Sequence, residues 1–363
     1  RERGGVEGRR GANDFGAQRM TVEYAQPGTA PRVSVLLPVY NAEATLEAAL
    51  LSILRQTLPD FECVAVDDGS SDGSFAVLER FARLDRRVRA VRAPHGGLIA
   101  ALNLGLAQCR GQFVARMDAD DAMHPERLAA QSAALERRAD LAGLGCHVRL
   151  FPARQLKPKR LAYADWLNAI QDEEQVFAAR FIECPLAHPT WFMRREVMVS
   201  YGYRDRGWPE DYDLVLRLLA EGHRLGIVPR QLLFWRDSTA RLSRTHPAYA
   251  QSRFVSCKAE FLASSWLAEQ DRYVLWGYGD TGRELRRALL VYGKTPRAIV
   301  ELHPGRLGQR IHGAEVIPPS GLARLAKSVP IVVSVAGATA RGLIREQLHS
   351  LGFEPERHYV FAA

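Results

Sequence analysis

From residue 33 onward the chain alternates short apolar runs with stretches whose apolar residues recur at helical spacing. Val33–Val39 is nearly all apolar and predicts a strand buried on both faces, and residues 42–55 set Leu46, Leu50, Ile53 and Leu54 on one helical face. A second strand is expected over 61–66, closing on the polar turn Asp67-Asp68-Gly69-Ser70-Ser71-Asp72-Gly73. Helix 74–84, strand 88–92, helix 98–108 and strand 112–117 follow. Such alternation predicts parallel βαβ units in a doubly wound α/β sheet. Ligands of these sheets bind beyond the carboxyl ends of the strands. Tyr40-Asn41, Asp67-Asp68 and the acids of 118–121 all fall at such ends.

Beyond 150 the pattern is less regular. An amphipathic stretch over 163–182 leads into Cys184-Pro185-Leu186-Ala187-His188-Pro189, a helix is expected after Trp208-Pro209-Glu210-Asp211, and another over 247–267. A second α/β unit then begins: strand 273–276, the loop Gly277-Tyr278-Gly279-Asp280-Thr281-Gly282, helix 283–292, strands 297–302 and 330–335, and helix 339–351. Its Gly-x-Gly-x-x-Gly loop follows a strand and opens a helix, with Glu301 near the next strand end, which is the setting of a dinucleotide fingerprint. No Tyr-Lys catalytic partner accompanies it. The expected division is a flexible leader over 1–30, a main α/β domain over 31–267 and a small Rossmann-like accessory domain over 268–363, which either binds a nucleotide or serves packing and oligomerisation.

Composition narrows the picture. A chain of 363 residues with 47% hydrophobic and 25% charged residues can bury a sizeable core in two domains. The net charge of +8 is spread along the chain, as in an Arg-rich proteome, and is also compatible with anionic partners such as a nucleotide, an acidic glycan or a membrane surface. Nothing in it calls for nucleic acid. Cys63, Cys109, Cys146, Cys184 and Cys257 are widely spaced with no CxxC pair, which argues against zinc and for buried thiols in a reducing compartment. No apolar run approaches the ~20 residues that span a bilayer, and the first thirty residues lack a signal-peptide core. The expectation is a cytoplasmic protein, with peripheral association at the inner face of the membrane left open.

The candidate chemistry centres on Asp118-Ala119-Asp120-Asp121, which follows the apolar strand segment Phe113-Val114-Ala115-Arg116-Met117. In an extended segment residues two apart point the same way, so Asp118 and Asp120 are expected to converge on one ligand. Adjacent carboxylates repel unless a cation or donors offset them, and Mg²⁺ or Mn²⁺ held by such acids can bridge a diphosphate. The bland alternative is a solvated acidic turn. Asp68 could accept hydrogen bonds from a base or ribose, or simply form a turn. Pro38, Tyr40 and Asn41 could line a nucleoside, Asn41 doubling as a helix cap. Arg241, Arg244 and His246 lie in a basic loop that could offset the charge of a leaving diphosphate. Glu210 and Asp211 fit the first turn of a helix, where acids are favoured whether or not they function.

Val33-Ser34-Val35-Leu36-Leu37-Pro38-Val39-Tyr40-Asn41, Val66-Asp67-Asp68-Gly69-Ser70-Ser71-Asp72, Gly96-Gly97-Leu98-Ile99-Ala100-Ala101-Leu102-Asn103 and Asp118-Ala119-Asp120-Asp121 together resemble the ordered signatures of glycosyltransferase family two, over roughly 32–250. The resemblance implies the GT-A fold, a nucleoside-diphosphate sugar as donor (UDP-linked by preference), an inverting mechanism, and a glycan or glycolipid acceptor in surface-polysaccharide synthesis. It implies that Pro38, Tyr40 and Asp68 meet the nucleoside and that Asp118 and Asp120 serve the ribose, diphosphate and metal, with Asp121 a further ligand. It also implies that Asp211 is the general base, that Glu210 binds or orients the acceptor, and that His188 lies near the acceptor pocket. Two other readings stand beside it: an NAD(P)-dependent oxidoreductase centred on 277–282, which leaves the upstream acids unexplained, and a catalytically silent nucleotide-sugar-binding protein, which leaves the base unexplained.

Overall fold

The computed structural model describes residues 30–238 and 241–363, so the leader expected over 1–30 lies outside it apart from Ala30. The chain opens with β1 (Val33–Val39), α1 (Glu43–Leu54), β2 (Phe61–Asp68), α2 (Ser74–Leu84), β3 (Val88–Ala93), α3 (Leu98–Gln108) and β4 (Phe113–Arg116). β1 is buried along its whole length, as its unbroken apolar run requires of a strand covered on both faces. It runs parallel to β2 on one side and to β4 on the other. Pro38 lacks a backbone donor yet sits in this central strand. Leu36 faces β4, its carbonyl accepting from Met117 N–H at 3.1 Å, so Pro38 two residues on faces the same side, past the last β4 pair at Leu36↔Arg116. No ladder bond is lost.

The chain continues through β5 (Ala122–Met123), α4 (Arg127–Glu136), β6 (Leu141–Phe151), α5 (Pro158–Asn168), α6 (Glu173–Ala179), β7 (Phe192–Arg194), α7 (Arg195–Tyr201), α8 (Glu210–Ala220) and β8 (Arg224–Arg236). The eight strands form one sheet in the order β3-β2-β1-β4-β7-β6-β8-β5. It is mixed: β7 is antiparallel to both β4 and β6, and β5 is antiparallel to β8. This is the GT-A-like α/β architecture expected from the sequence. The single amphipathic stretch read over 163–182 is two helices. α5 opens on Pro158 and ends at Asn168, whose side-chain amide bonds both backbone groups of Val148 at 2.9 Å. Asp172 then caps α6 by accepting from Gln175 N–H at 2.8 Å. Likewise the helix read over 247–267 is α10 (Gln251–Phe261), after the short α9 (Leu242–Thr245), extended by a π-helical turn over Leu262–Trp266.

A second sheet is built from β9 (Arg272–Trp276), β10 (Thr295–Val300), β11 (Arg310–Ile311), β12 (Ala314–Ile317), β13 (Ile331–Val333) and β14 (Tyr359–Phe361), with helices α11 (Asp280–Leu290) and α12 (Ala338–Ser350). Its order is β11-β12-β10-β9-β13-β14, parallel except for β11. The glycine loop joins β9 to α11 as read from the sequence, and a side chain at Gly282 would stand 2.2 Å from the Gly277 carbonyl oxygen. Glycine there lets the helix close on the strand. Glu301 follows β10 and accepts from Leu302 N–H at 2.9 Å while pairing with Arg306 at 3.1 Å. One apolar cluster runs through both sheets, joining Tyr212, Leu218, Val255 and Leu262 to Tyr273, Leu275, Val332 and Val360. Among the described residues no helix is long and apolar enough to cross a membrane.

Gly282→Ala should lower the thermal midpoint, since the new methyl meets backbone that cannot rotate away, at a cost of about 1–3 kcal/mol. Calorimetry checks this; an unchanged midpoint would mean that the 277–282 turn yields freely.

Candidate active site

The chain leaves β4 in a turn whose backbone is pinned from three directions. The carbonyl of Arg116 accepts from Arg127 Nη2 at 2.9 Å, that of Ala119 from Thr45 Oγ1 at 3.1 Å, and that of Asp120 from Arg236 Nε at 2.6 Å. Asp121 N–H closes the turn on the Asp118 carbonyl at 3.3 Å. The three carboxylates of Asp118, Asp120 and Asp121 gather with one oxygen each inside 4.8 Å. Strand alternation is therefore not what brings Asp118 and Asp120 together. The turn does so, and it recruits Asp121 as well.

Each acid sits in a different field. Burial works against charge on Asp118, but Arg116 Nη1 lies 2.6 Å from its Oδ1 and outweighs burial, holding the carboxyl below its ordinary value. Burial and then the Asp118 charge push Asp120 up. Burial followed by the charges of Asp118 and Asp120 drives Asp121 well above the carboxylate range. Asp121 Oδ1 accepts from Arg236 N–H at 2.7 Å, while its buried Oδ2 has no hydrogen-bond partner among the described residues. Crowded, repelling carboxylates with an orphaned buried oxygen fit a hard divalent cation. Arg241 acts on all three acids, and Arg116 on Asp118 and Asp120. Arg241 also donates to the Arg236 carbonyl at 2.6 Å and lies over Trp235, which Arg160 covers as well.

At the ends of β1 and β2, Tyr40 is half exposed and stacks on His95 with ring centroids 4.3 Å apart. Asp68 is buried and accepts from Gly96 N–H at 2.7 Å and Gly97 N–H at 2.9 Å, with His95 Nδ1 2.9 Å away. Asp68 thus organises the loop that presents His95. Asn41 does not cap α1. It adopts φ 47, and its side-chain oxygen accepts from Ser71 N–H at 2.9 Å, while Ser74 Oγ accepts from Ala42 N–H at the helix start. Pro38 is buried within β1, so Tyr40 rather than the proline ring forms the exposed surface. His246 is exposed as well; its Nδ1 accepts from Ala248 N–H and its ring meets Tyr249 edge-on.

The first turn of α8 carries three acids that sequence alone leaves equivalent. Asp213 is spent on structure, pairing with Arg217 at 2.7 Å and Arg204 at 3.3 Å and accepting from Trp208 Nε1 at 3.1 Å. Glu210 is spent too: one oxygen accepts from the Tyr249 hydroxyl and the other lies 3.4 Å from His188 Nδ1. His188 Nε2 is 2.9 Å from the Tyr203 hydroxyl. Burial, then Arg116, lowers His188 to about 3, so the ring is neutral. These partners fix the tautomer: Tyr203 donates to Nε2 and Nδ1–H points at Glu210. Among the described residues Asp211 commits only Oδ1, to Tyr212 N–H at 2.7 Å. Burial and then the adjacent Glu210 charge lift it to about 6. Asp118 and Asp211 both act on the charge of His188, and Arg116, which pairs with Asp118, acts on it as well, so the turn after β4 and the start of α8 are electrostatically linked.

Residues 34–202 match the family described as Glycosyl transferase family 2. The O-antigen biosynthesis glycosyltransferase WbnJ of Escherichia coli is 32% identical over 193 residues, covering 52% of this chain and 72% of that protein. The amylovoran biosynthesis glycosyltransferase AmsE of Erwinia amylovora is 35% identical over 205 residues, 55% of this chain and 74% of its own. The chain belongs to glycosyl transferase family 2. It spans only 63% of the length of another relative, the uncharacterised glycosyltransferase EpsJ of Bacillus subtilis, at 29% identity. Among solved structures, S. aureus TarS 1–349 in complex with UDP-GlcNAc superposes with TM-score 0.53 at 18% identity over 72% of each chain, a likeness of fold.

For this family 2 protein, sequence reading missed Arg116, His95, Tyr203 and Tyr249. Arg116 was legible in principle, since a lone cation in an apolar strand needs a buried anion. The two tyrosines carried no such signal.

A carboxyl raised by folding binds its proton more tightly in the folded state, so the metal-free chain loses stability as pH climbs above the ordinary carboxylate range. Asp121→Asn keeps the acceptor for Arg236 N–H and removes one charge. It should raise the metal-free thermal midpoint at pH 7 and abolish the further rise on adding Mn²⁺; equal Mn²⁺ shifts in both proteins would contradict the assignment.

Proposed function

We propose that this protein is a metal-dependent inverting glycosyltransferase that moves a sugar from a nucleoside-diphosphate donor to a hydroxyl of a glycan or glycolipid. The observation that carries the reading is Asp211. Of the three acids opening α8 it has, among the described residues, a carboxylate oxygen with no bond, and it and Asp118 both act on His188. Asp118, Asp120 and Asp121 would hold Mg²⁺ or Mn²⁺, which when bound offsets the negative charge of the departing diphosphate. Arg241 adds a fixed positive charge on the same side. Tyr40, stacked on His95, offers a face for the nucleobase, and Asp68 sets the loop behind it.

In the proposed step the acceptor oxygen attacks the anomeric carbon opposite the leaving group. The new C–O bond forms as the bond to the diphosphate oxygen breaks, and Asp211 takes the acceptor's hydroxyl proton. A base near pKa 6 is ionised at neutral pH and still basic enough to accept it. Glu210, His188, Tyr203 and Tyr249 fix the helix that carries Asp211. The names of WbnJ and AmsE support a surface polysaccharide as acceptor, and TarS, solved with UDP and UDP-GlcNAc, makes UDP the first probe. Nucleotide sugars belong to the cytoplasmic side, where we place the reaction, with peripheral contact to the membrane if the acceptor is lipid-linked. We treat 268–363 as a Rossmann-like accessory domain.

Asp211→Asn should lower kcat by about 10²–10⁴-fold while UDP affinity in Mn²⁺ stays within about threefold. Turnover of the unaltered protein should rise with pH through about 6 and level off above it, as Asp211 loses its proton. Release of UDP from nucleotide sugars in the presence of oligosaccharide acceptors measures both; full activity in the Asn variant would remove Asp211 from the mechanism.

A further inference from the structure

The segment 179–188 runs between the second sheet and the start of α8, and it is tied at both ends of its course. Arg180 forms an ion pair with Glu356 at 2.7 Å, its guanidinium packed over Phe177 and Phe181. The carbonyl of the same Arg180 accepts from the Tyr212 hydroxyl at 2.7 Å, and Tyr212 is fully buried and adjacent to Asp211 on α8. Two residues on, the Ile182 carbonyl accepts from Lys258 Nζ at 3.0 Å, and that ammonium also donates to the carbonyl of Ala362, just past β14, at 2.7 Å. Lys258 is buried, which disfavours its charge, and Glu183 acts against that effect. These two hydrogen bonds join main chain from either side of the junction. Glu356 is held at φ 60, a left-handed conformation that non-glycine residues rarely adopt, and its carbonyl accepts from Trp266 Nε1. The segment then delivers Glu183 and Cys184, which both feel the Asp211 charge, and His188 beside Glu210.

We propose that the C-terminal unit positions the acceptor side of the site. Glu356 and Ala362 act through Arg180 and Lys258 to fix the strap over 179–188, and the strap fixes α8 through Tyr212. The donor side lies at the ends of β1, β2 and β4 and makes none of these contacts. Glu356, Arg180 and Lys258 are thus positioning residues, and the accessory unit is part of the catalytic apparatus irrespective of whether its glycine loop binds anything. The inference rests on the reading of Asp211 as base, but the ties themselves do not.

The test compares the full chain with Glu356→Gln and Lys258→Met. Hydrogen exchange should quicken by about tenfold at backbone amides of 179–188 and 210–214, as expected for loss of a charge-assisted bond, and stay unchanged over 61–68 and 113–121. The Kd of UDP in Mn²⁺ should hold within about twofold. UDP release from UDP-GlcNAc should show kcat lowered with KM held, a split that general destabilisation would not give. If Lys258→Met does not fold, Glu356→Gln decides alone. Unchanged exchange in 179–188, or an increase spread evenly over the first sheet, overturns the proposal. Failure of the unaltered protein to bind UDP with Mn²⁺ counts against the functional reading, and the exchange data still decide the coupling.

Discussion

Three carboxylates crowded at the end of a buried strand are the constraint around which the first sheet is organised. Carboxylates this close, and partly removed from water, disfavour their own charged state. The fold meets that cost by pinning the backbone of the turn through Arg127, Thr45 and Arg236 while leaving the acid oxygens only partly satisfied. Arg116 neutralises one acid, Asp118. Burial and mutual repulsion push Asp120 and Asp121 towards their neutral forms, against which Arg241 acts as a counter-charge.

The same strand end also fixes the opposite wall. Arg116, His188 and Glu210 are buried beside one another, and the Tyr203–His188–Glu210–Tyr249 chain joins the loops on either side of α8 into one polar network with its ring nitrogens and hydroxyls paired. Asp211 follows Glu210 on α8, with one oxygen uncommitted among the described residues. In the proposed reading a donor site and a base are thus set by two polar clusters on one scaffold, the arrangement that catalysis by positioning needs.

Much of this was legible in the sequence for physical reasons. Unbroken apolar runs such as Val33–Val39 specify buried parallel strands, and polar residues at their carboxyl ends mark where a ligand sits. The acids of 118–121 and the glycine loop of 277–282 were found this way. Other features depend on long-range contacts. β6 and β8 pair over most of their length, but Gly143 and Gly145 and the turn-like Pro229 disguise them as irregular chain. Asn41 looks like a cap by position, yet its side chain reaches across to Ser71. No local pattern separates Glu210, Asp211 and Asp213; only the partners of each, brought from residues 188, 204, 217 and 249, decide which acid retains an uncommitted oxygen.

The central claim is that the acidic turn and a divalent cation hold the diphosphate together. Calorimetric titration of UDP into the protein, with Mn²⁺ and with chelator, tests it most directly. The account predicts binding at least about tenfold tighter with Mn²⁺, equivalent to about 1.4 kcal/mol, and loss of that difference in Asp120→Ala. Equal UDP affinity with and without the metal would contradict it.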